Sequence, residues 1–324
     1  MIRGHASFLL ILALVTSVTF WVGRDQTASA QISSADSADA TAPVFHDLSA
    51  LPGVSGQLIM KPTFASEHVR DRPLYIWLPP SYGQVAKRYP VIYMLDGEHM
   101  FIDNLARPSR TEWQVDETLT RLLDEGRIRE PIVVAIPSGG SRRYDEYVPQ
   151  APMQKHALRL ALTFLSDEHM RFLTEEVKPF IDTHFPTLSG PDDTYLLGAS
   201  VSGLTVMEAM TRYPDLFGAV AAMSPHLSLA DGDVVTWLTG QLQTPDTHRL
   251  YIDRGTKGLE AQYARGFRRL RLKALDLGYV EGESFEATVY KGAAHKAKDF
   301  RDRIHAPLLF LLATDNAATA DDPM

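Results

Sequence analysis

The sequence predicts an α/β fold, a mostly parallel central sheet with helices on both faces. Three observations carry this expectation. Short apolar runs of strand length end repeatedly in Gly, Pro or Ser; between them lie stretches with apolar residues at steps of three and four; and the two kinds of segment alternate along the chain. Strand–helix alternation buries its apolar surface most simply as parallel strands joined by helices that cover both faces of the sheet.

Taken in order, the strand runs are LYIWLP within Pro73 to Pro79, VIYMLDG (Val91 to Gly97), PIVVAIP (Pro131 to Pro137) and TYLLGAS (Thr194 to Ser200). AVAAMSP (Ala219 to Pro225), RLYIDRG (Arg249 to Gly255) and FEATVYKG (Phe285 to Gly292) follow. Helical spacing joins Met170, Leu173, Val177 and Phe180, with Pro179 expected to kink that helix. A second helix runs from Leu204 to Tyr213 and stops at Pro214. A third carries Leu259, Tyr263, Phe267, Leu270, Ala274 and Leu277, and Gly278 stands where it would end.

The chain has 324 residues, of which 45% are apolar and 22% charged, enough to fill one sizeable core. With 32 basic against 40 acidic residues the net charge is -8, and no dense basic block interrupts it. Nucleic acid and anionic membrane surfaces are therefore poor partners. The absence of cysteine excludes disulfides, thiolate metal sites and cysteine nucleophiles. At the amino terminus Arg3 and His5 precede an apolar run from Phe8 to Val22, and Ala28-Ser29-Ala30 follows. That order reads as a signal peptide over residues 1–30, and predicts a periplasmic or secreted protein that keeps no membrane attachment after cleavage. Residues 31–44 read as a flexible leader, 45–313 as one catalytic domain without internal repeat, and 314–324 as a disordered tail.

Function in such sheets concentrates where strands end and helices begin. TYLLGASVSGLTVMEA places Ser200 on a strand-to-helix turn among small residues, the setting of a strained nucleophilic serine. The next residue, Val201, opens the helix, so its N–H can face a developing oxyanion. The usual Gly-x-Ser-x-Gly spacing is altered, because Ser202 holds the second glycine position and Gly203 follows. A general base belongs on the loop after the last strand, which selects His295 among eleven histidines; His305 falls in the closing helix, and His99 and His226 come too early. The acid belongs between them. Glu260, at a helix start after RLYIDRG, is favoured, and Asp253 in the strand itself is the alternative. A second oxyanion donor is expected from MLDGEHMF, where Gly97 permits a sharp turn and the Glu98 N–H would face the serine; Asp96 is expected to fix that loop by bonding its backbone.

These pieces together resemble the putative-esterase branch of the α/β-hydrolases, which includes enterochelin-type esterases, feruloyl esterases and mycolyltransferases. The similarity runs through RPLYIWLPPSY, YPVIYMLDGEHMF, LLGASVSGL, RYPDLFGAVAAMSP, YIDRGTKGLEAQY and the final GAAH, nearly the whole catalytic domain. It implies an α/β-hydrolase fold, Ser200 as nucleophile, and the Glu98 and Val201 amides as oxyanion donors. Relatives often carry an aspartate near the position of Glu260, which supports that residue as the acid. Relatives commonly carry Gly at Ser202, and aromatic residues where this chain has Lys296 and Lys298, which implies a different substrate mouth.

The function so predicted is hydrolysis of a carboxylic ester through an acyl-enzyme on Ser200. An acyltransferase with the same triad and a non-catalytic exported binding protein are the alternatives. The partner is a small-molecule ester, and Trp113, Arg143, Tyr144 and Tyr147 are candidates to border its pocket. The sequence does not determine an oligomeric state. The mechanism needs no metal or cofactor, and neither HExxH, nor a phosphate-cradling loop, nor a dinucleotide fingerprint is present.

Overall fold

The computed structural model describes residues 43–156, 163–246 and 248–314. The expected signal peptide, and all but the edges of the expected leader and tail, lie outside the described residues. At the carboxyl edge Ala313 bridges Ile128.

Nine strands form one sheet in the order β1-β2-β3-β5-β4-β6-β7-β8-β9. They are β1 (His46–Asp47), β2 (Gln57–Phe64), β3 (Arg72–Leu78), β4 (Val91–Leu95), β5 (Ile132–Ile136), β6 (Thr194–Ala199), β7 (Ala219–Met223), β8 (Arg249–Arg254) and β9 (Phe285–Val289). β5 through β9 run parallel in that spatial order, and β1, β2 and β3 add an antiparallel edge beside β5. All seven sequence-predicted strands are present.

Both faces of the inner parallel strands β4 to β8 are buried, so their apolar residues alternate between two cores, while the edge strand β9 is only partly covered. Val91, Tyr93 and Leu95 of β4 join one core, while Ile92 and Met94 join the other. Helix Val201–Arg212, Asp233–Gln241 and Ala264–Asp276 pack into the first; Val115–Asp124 and His305–Leu312 close the second. Leaving Met94, Leu196 or Ile252 unburied would forfeit about 1.5–3 kcal/mol each, which fixes the register.

The stripe from Met170 to Phe180 differs from expectation. It is built as Ser166–Arg171, a π-helical turn over Phe172–Val177, and Lys178–His184. Pro179 sits in the first turn of the last piece, directly after the π-helical turn. It has no N–H to give to the preceding turn, and the Lys178 N–H reaches five residues back to Leu173 O, so the turn before the proline widens.

Candidate active site

The parallel strands carry the chain up to one edge of the sheet, and the turns after β4, β5, β6 and β8 meet there. Ser200 ends β6 and immediately precedes helix Val201–Arg212. Its backbone is at φ 61°, ψ -118°, a conformation that costs a non-glycine residue about 1–3 kcal/mol. Two hydrogen bonds hold it: Ser200 N–H to Met223 O at 2.9 Å, and His226 N–H to Ser200 O at 3.0 Å. The turn closes so tightly that a Cβ on Gly198 would stand 2.5 Å from the Ser202 carbonyl oxygen. Glycine is required at 198 and not at 202.

Ser202 has its own partners. It is fully buried, and its hydroxyl accepts the Ala199 N–H at 2.8 Å and donates to Asp96 Oδ2 at 2.7 Å. Asp96 also receives Arg143 Nε at 2.5 Å and Arg143 Nη2 at 2.7 Å. The expectation that Asp96 bonds its own loop is therefore corrected: its carboxylate faces away, tying the turn after β4 to the turn after β6 and to Arg143. Burial pushes the Asp96 carboxyl up, but Arg143 and Ser202 outweigh it and hold it below the usual range. Ser202→Ala should leave the buried Ala199 N–H unpaired and remove a donor from Asp96. We expect a loss of about 1–3 kcal/mol, read as a lower unfolding midpoint.

The turn after β4 makes a close pass over β5. Asp96 lies at φ 60°, and a Cβ on Gly97 would be 2.4 Å from Ile136 N. Glu98 follows in the short helical turn Gly97–His99, its carboxylate bound to the Ser138 N–H and hydroxyl. The Glu98 and Val201 N–H groups both lie in the first turn of a helix, where intrahelical acceptors are lacking.

His295 lies on the loop after β9, and its Nδ1 is 2.8 Å from Glu260 Oε1. Glu260 is fully buried and accepts Gly255 N–H on its other oxygen at 2.9 Å. Burial raises its pKa; hydrogen bonds from His295, Ser224 and Gly255 more than reverse this, so the carboxyl stays below its ordinary value. Asp253 is elsewhere. It is fully buried beneath the site and accepts Ser224 N–H (2.8 Å), Tyr251 O–H (3.0 Å) and Arg303 Nε (3.1 Å). The structure thus brings His295 together with Glu260 and not with Asp253.

Ser200 and His295 share the wall of a cleft of about 640 Å³. Trp113 and Arg143 line it as the sequence suggested, whereas Tyr144 is exposed and Tyr147 is buried in the core. Lys296, at the end of that loop, and Lys298, in the short helix Ala297–Arg301 that follows, are exposed, and the cleft instead takes Ala297 and Phe300 from this segment. On this side the cleft is therefore lined by an apolar pair and not by the two lysines. Arg107 and His99 complete that side, with His99 stacked on Trp113 at 6.0 Å.

Two neighbours of the serine were not foreseen in any role. Tyr263 is fully buried; its hydroxyl lies 3.3 Å from His226 Nδ1, while its ring meets His295 edge-on at 5.8 Å. Its only sequence signal was a place in an apolar stripe. Burial, then the nearby His295 and Arg143, push His226 down to about 4. In the unfolded chain histidine titrates near 6.5, so between pH 6.5 and 4 the unfolded state binds the extra proton. His226 therefore carries no penalty above pH 6.5, and stability is lost as pH falls through that window. Solvent at this half-buried ring screens the effect to on the order of 2–3 kcal/mol. His226→Gln should flatten the pH dependence of the denaturation midpoint between pH 6.5 and 4.

With this geometry in place, comparison with known proteins gives a consistent result. A family model described as "Esterase: Putative esterase" matches residues 66–308. An uncharacterized protein of Bacillus subtilis (strain 168), YbbA, is 22% identical over 254 residues, covering 74% of this chain and 92% of its own. Among solved structures, a ferulic acid esterase superposes with a TM-score of 0.57 at 17% identity, over 79% of this chain and 98% of the other. The enterobactin esterase Fes from Shigella flexneri gives 0.59 at 18% identity, over 77% of this chain and 57% of that one. The similarity to these structures is one of fold.

Proposed function

This chain belongs to the putative-esterase family, and on that premise we propose that it is a serine esterase working through an acyl-enzyme on Ser200. The carrying observation is the grouping at one cleft of three residues. Ser200 stands on a strained turn, His295 faces the same cleft, and a buried, ionised Glu260 lies 2.8 Å from the histidine. Glu260 holds the Nδ1 proton, leaving Nε2 free to accept.

Ser200 Oγ attacks the ester carbonyl while His295 takes its proton. The tetrahedral oxyanion is met by the Glu98 and Val201 N–H groups. His295 then protonates the departing alcohol; water takes its place, gives a proton to His295 as it attacks the acyl carbon, and His295 returns that proton to Ser200 Oγ as the ester bond to the enzyme breaks and the acid leaves. Tyr263 packs its ring edge-on against His295 and its hydroxyl beside His226, which holds the imidazole side of the site in place. Trp113 and Phe300 form an apolar wall for a planar acyl or alcohol portion, and Arg143, fixed by Asp96, supplies a cation beside it. Feruloyl and enterobactin-type esters, for which the structural neighbours are named, therefore head the substrate screen. The positive, apolar and small-residue order of residues 1–30 supports export to the periplasm or beyond; a mature amino terminus at Gln31, found by mass spectrometry of the secreted or periplasmic fraction, is the expected sign.

The direct test is hydrolysis of p-nitrophenyl acetate and butyrate together with labelling by a serine-reactive phosphonate. Turnover and a label mapped to Ser200 are expected. A protein that neither turns over nor takes the label would be a binding protein on this fold, and release of acyl groups only in the presence of an added alcohol would make it an acyltransferase.

A further inference from the structure

Beside the cleft, where the loop ending in Trp113 enters helix Val115–Asp124, three carboxylates pack together. Glu112 and Asp116 are buried and Glu117 is half-buried, and each presents a carboxylate oxygen within 4.8 Å of the other two. Asp116 is fully enclosed. Its Oδ2 accepts the Ser55 N–H at 2.6 Å, which leaves Oδ1 to face its neighbours. That oxygen has no donor among the described residues, and neither has the enclosed Glu117 Oε2. Glu112 accepts the Gln114 N–H, and Arg301 acts on it only at Coulombic range. None of the three carboxylates forms an ion pair within 4 Å among the described residues.

Buried carboxylates without a counter-charge are costly, and two unpartnered oxygens add to the cost. A cation among the three oxygens would resolve both the charge and the missing partners.

We propose that Glu112, Asp116 and Glu117 bind one calcium ion that fastens the cleft-forming loop to the first helix. A donor set of oxygens alone, without nitrogen or sulfur, selects a hard divalent ion. Calcium takes several carboxylates in an irregular, flexible oxygen shell, whereas magnesium demands near-octahedral geometry, keeps several waters and is bound through one or two carboxylates, so three enclosed carboxylates favour calcium. Carbonyl groups and water complete the shell. The ion acts on the cleft through Trp113, which lies between the ligands in sequence, stacks on His99 and lines the cavity.

The test uses the full chain after EDTA treatment and dialysis, titrated with CaCl2 by isothermal calorimetry and followed by thermal unfolding. One ion per chain is expected, with a Kd in or below the range of about 10⁻⁴–10⁻³ M typical of extracellular sites. At a hundredfold excess over Kd the midpoint should rise by on the order of 5 °C. MgCl2 should produce a smaller rise. Asp116→Asn and Glu117→Gln should each weaken calcium binding at least tenfold; if Asp116→Asn fails to fold for want of its Ser55 contact, the half-buried Glu117→Gln carries the comparison. No heat and no midpoint shift in the unsubstituted chain at about 10 mM CaCl2, or an undiminished shift in Glu117→Gln, would overturn the site. These readouts do not depend on turnover, so they stand or fall apart from the esterase reading.

Discussion

Ser200→Ala should lower kcat/KM for p-nitrophenyl esters by roughly 10⁴- to 10⁶-fold while leaving the unfolding midpoint close to that of the parent. The size follows from the mechanism. Without Oγ there is no acyl-enzyme, and only ester binding and the two oxyanion amides remain, which by themselves give modest acceleration. The small effect on stability follows from the structure. Ser200 is held by its backbone N–H and carbonyl, bonded to Met223 and His226, and alanine keeps both bonds. Phosphonate labelling must vanish with the activity. A variant that keeps more than about a tenth of the parent rate would show that another group attacks the ester, and the role given to Ser200 would have to be abandoned.

Much of this arrangement is legible in the sequence because it is local. The buried parallel strands are apolar on both faces, so each reads as a continuous run, and the nucleophile turn lies within six residues of one strand end. β2 was not legible for the opposite reason. Its residues are half-exposed along much of their length, and Pro62 breaks the ladder, where the pairing with β3 shifts between Lys61 and Phe64. The two-residue β1 carries no pattern at all.

The supports of the site were hidden because they join distant positions. Ser202 reaches Asp96 across 106 residues of chain, and Arg143 reaches it across 47. Read along the sequence, Ser202 looked like a departure from the glycine that such turns usually carry. In three dimensions its hydroxyl occupies the space a glycine would leave and ties the first turn of helix Val201–Arg212 to the turn after β4, so the departure brings a bond with it. Tyr263 is similarly two-faced: the apolar ring explains its place in the helical stripe, and the hydroxyl at its end reaches His226.

The choice between the two candidate acids yields the second large effect. Glu260→Gln should lower kcat by about 10³- to 10⁴-fold with little change in KM, because the amide donates to His295 Nδ1 and turns the imidazole to the tautomer whose Nε2 carries a proton and cannot accept one from serine. Gln keeps the shape and can still accept the Gly255 N–H, so the fold should persist. Asp253→Asn should do the reverse. Asp253 touches Ser224, Tyr251 and Arg303 and not the histidine, and its loss leaves the 2%-exposed Arg303 without its buried counter-charge. Breaking a buried pair from one side costs about 3–5 kcal/mol, so the unfolding midpoint should fall by several degrees while kcat of the folded fraction changes little. Circular-dichroism melts beside steady-state kinetics separate the two variants. If Asp253→Asn were instead the one to lose kcat with its midpoint intact, the acid of the triad would be Asp253, and the 2.8 Å contact between Glu260 and His295 would be a structural hydrogen bond only.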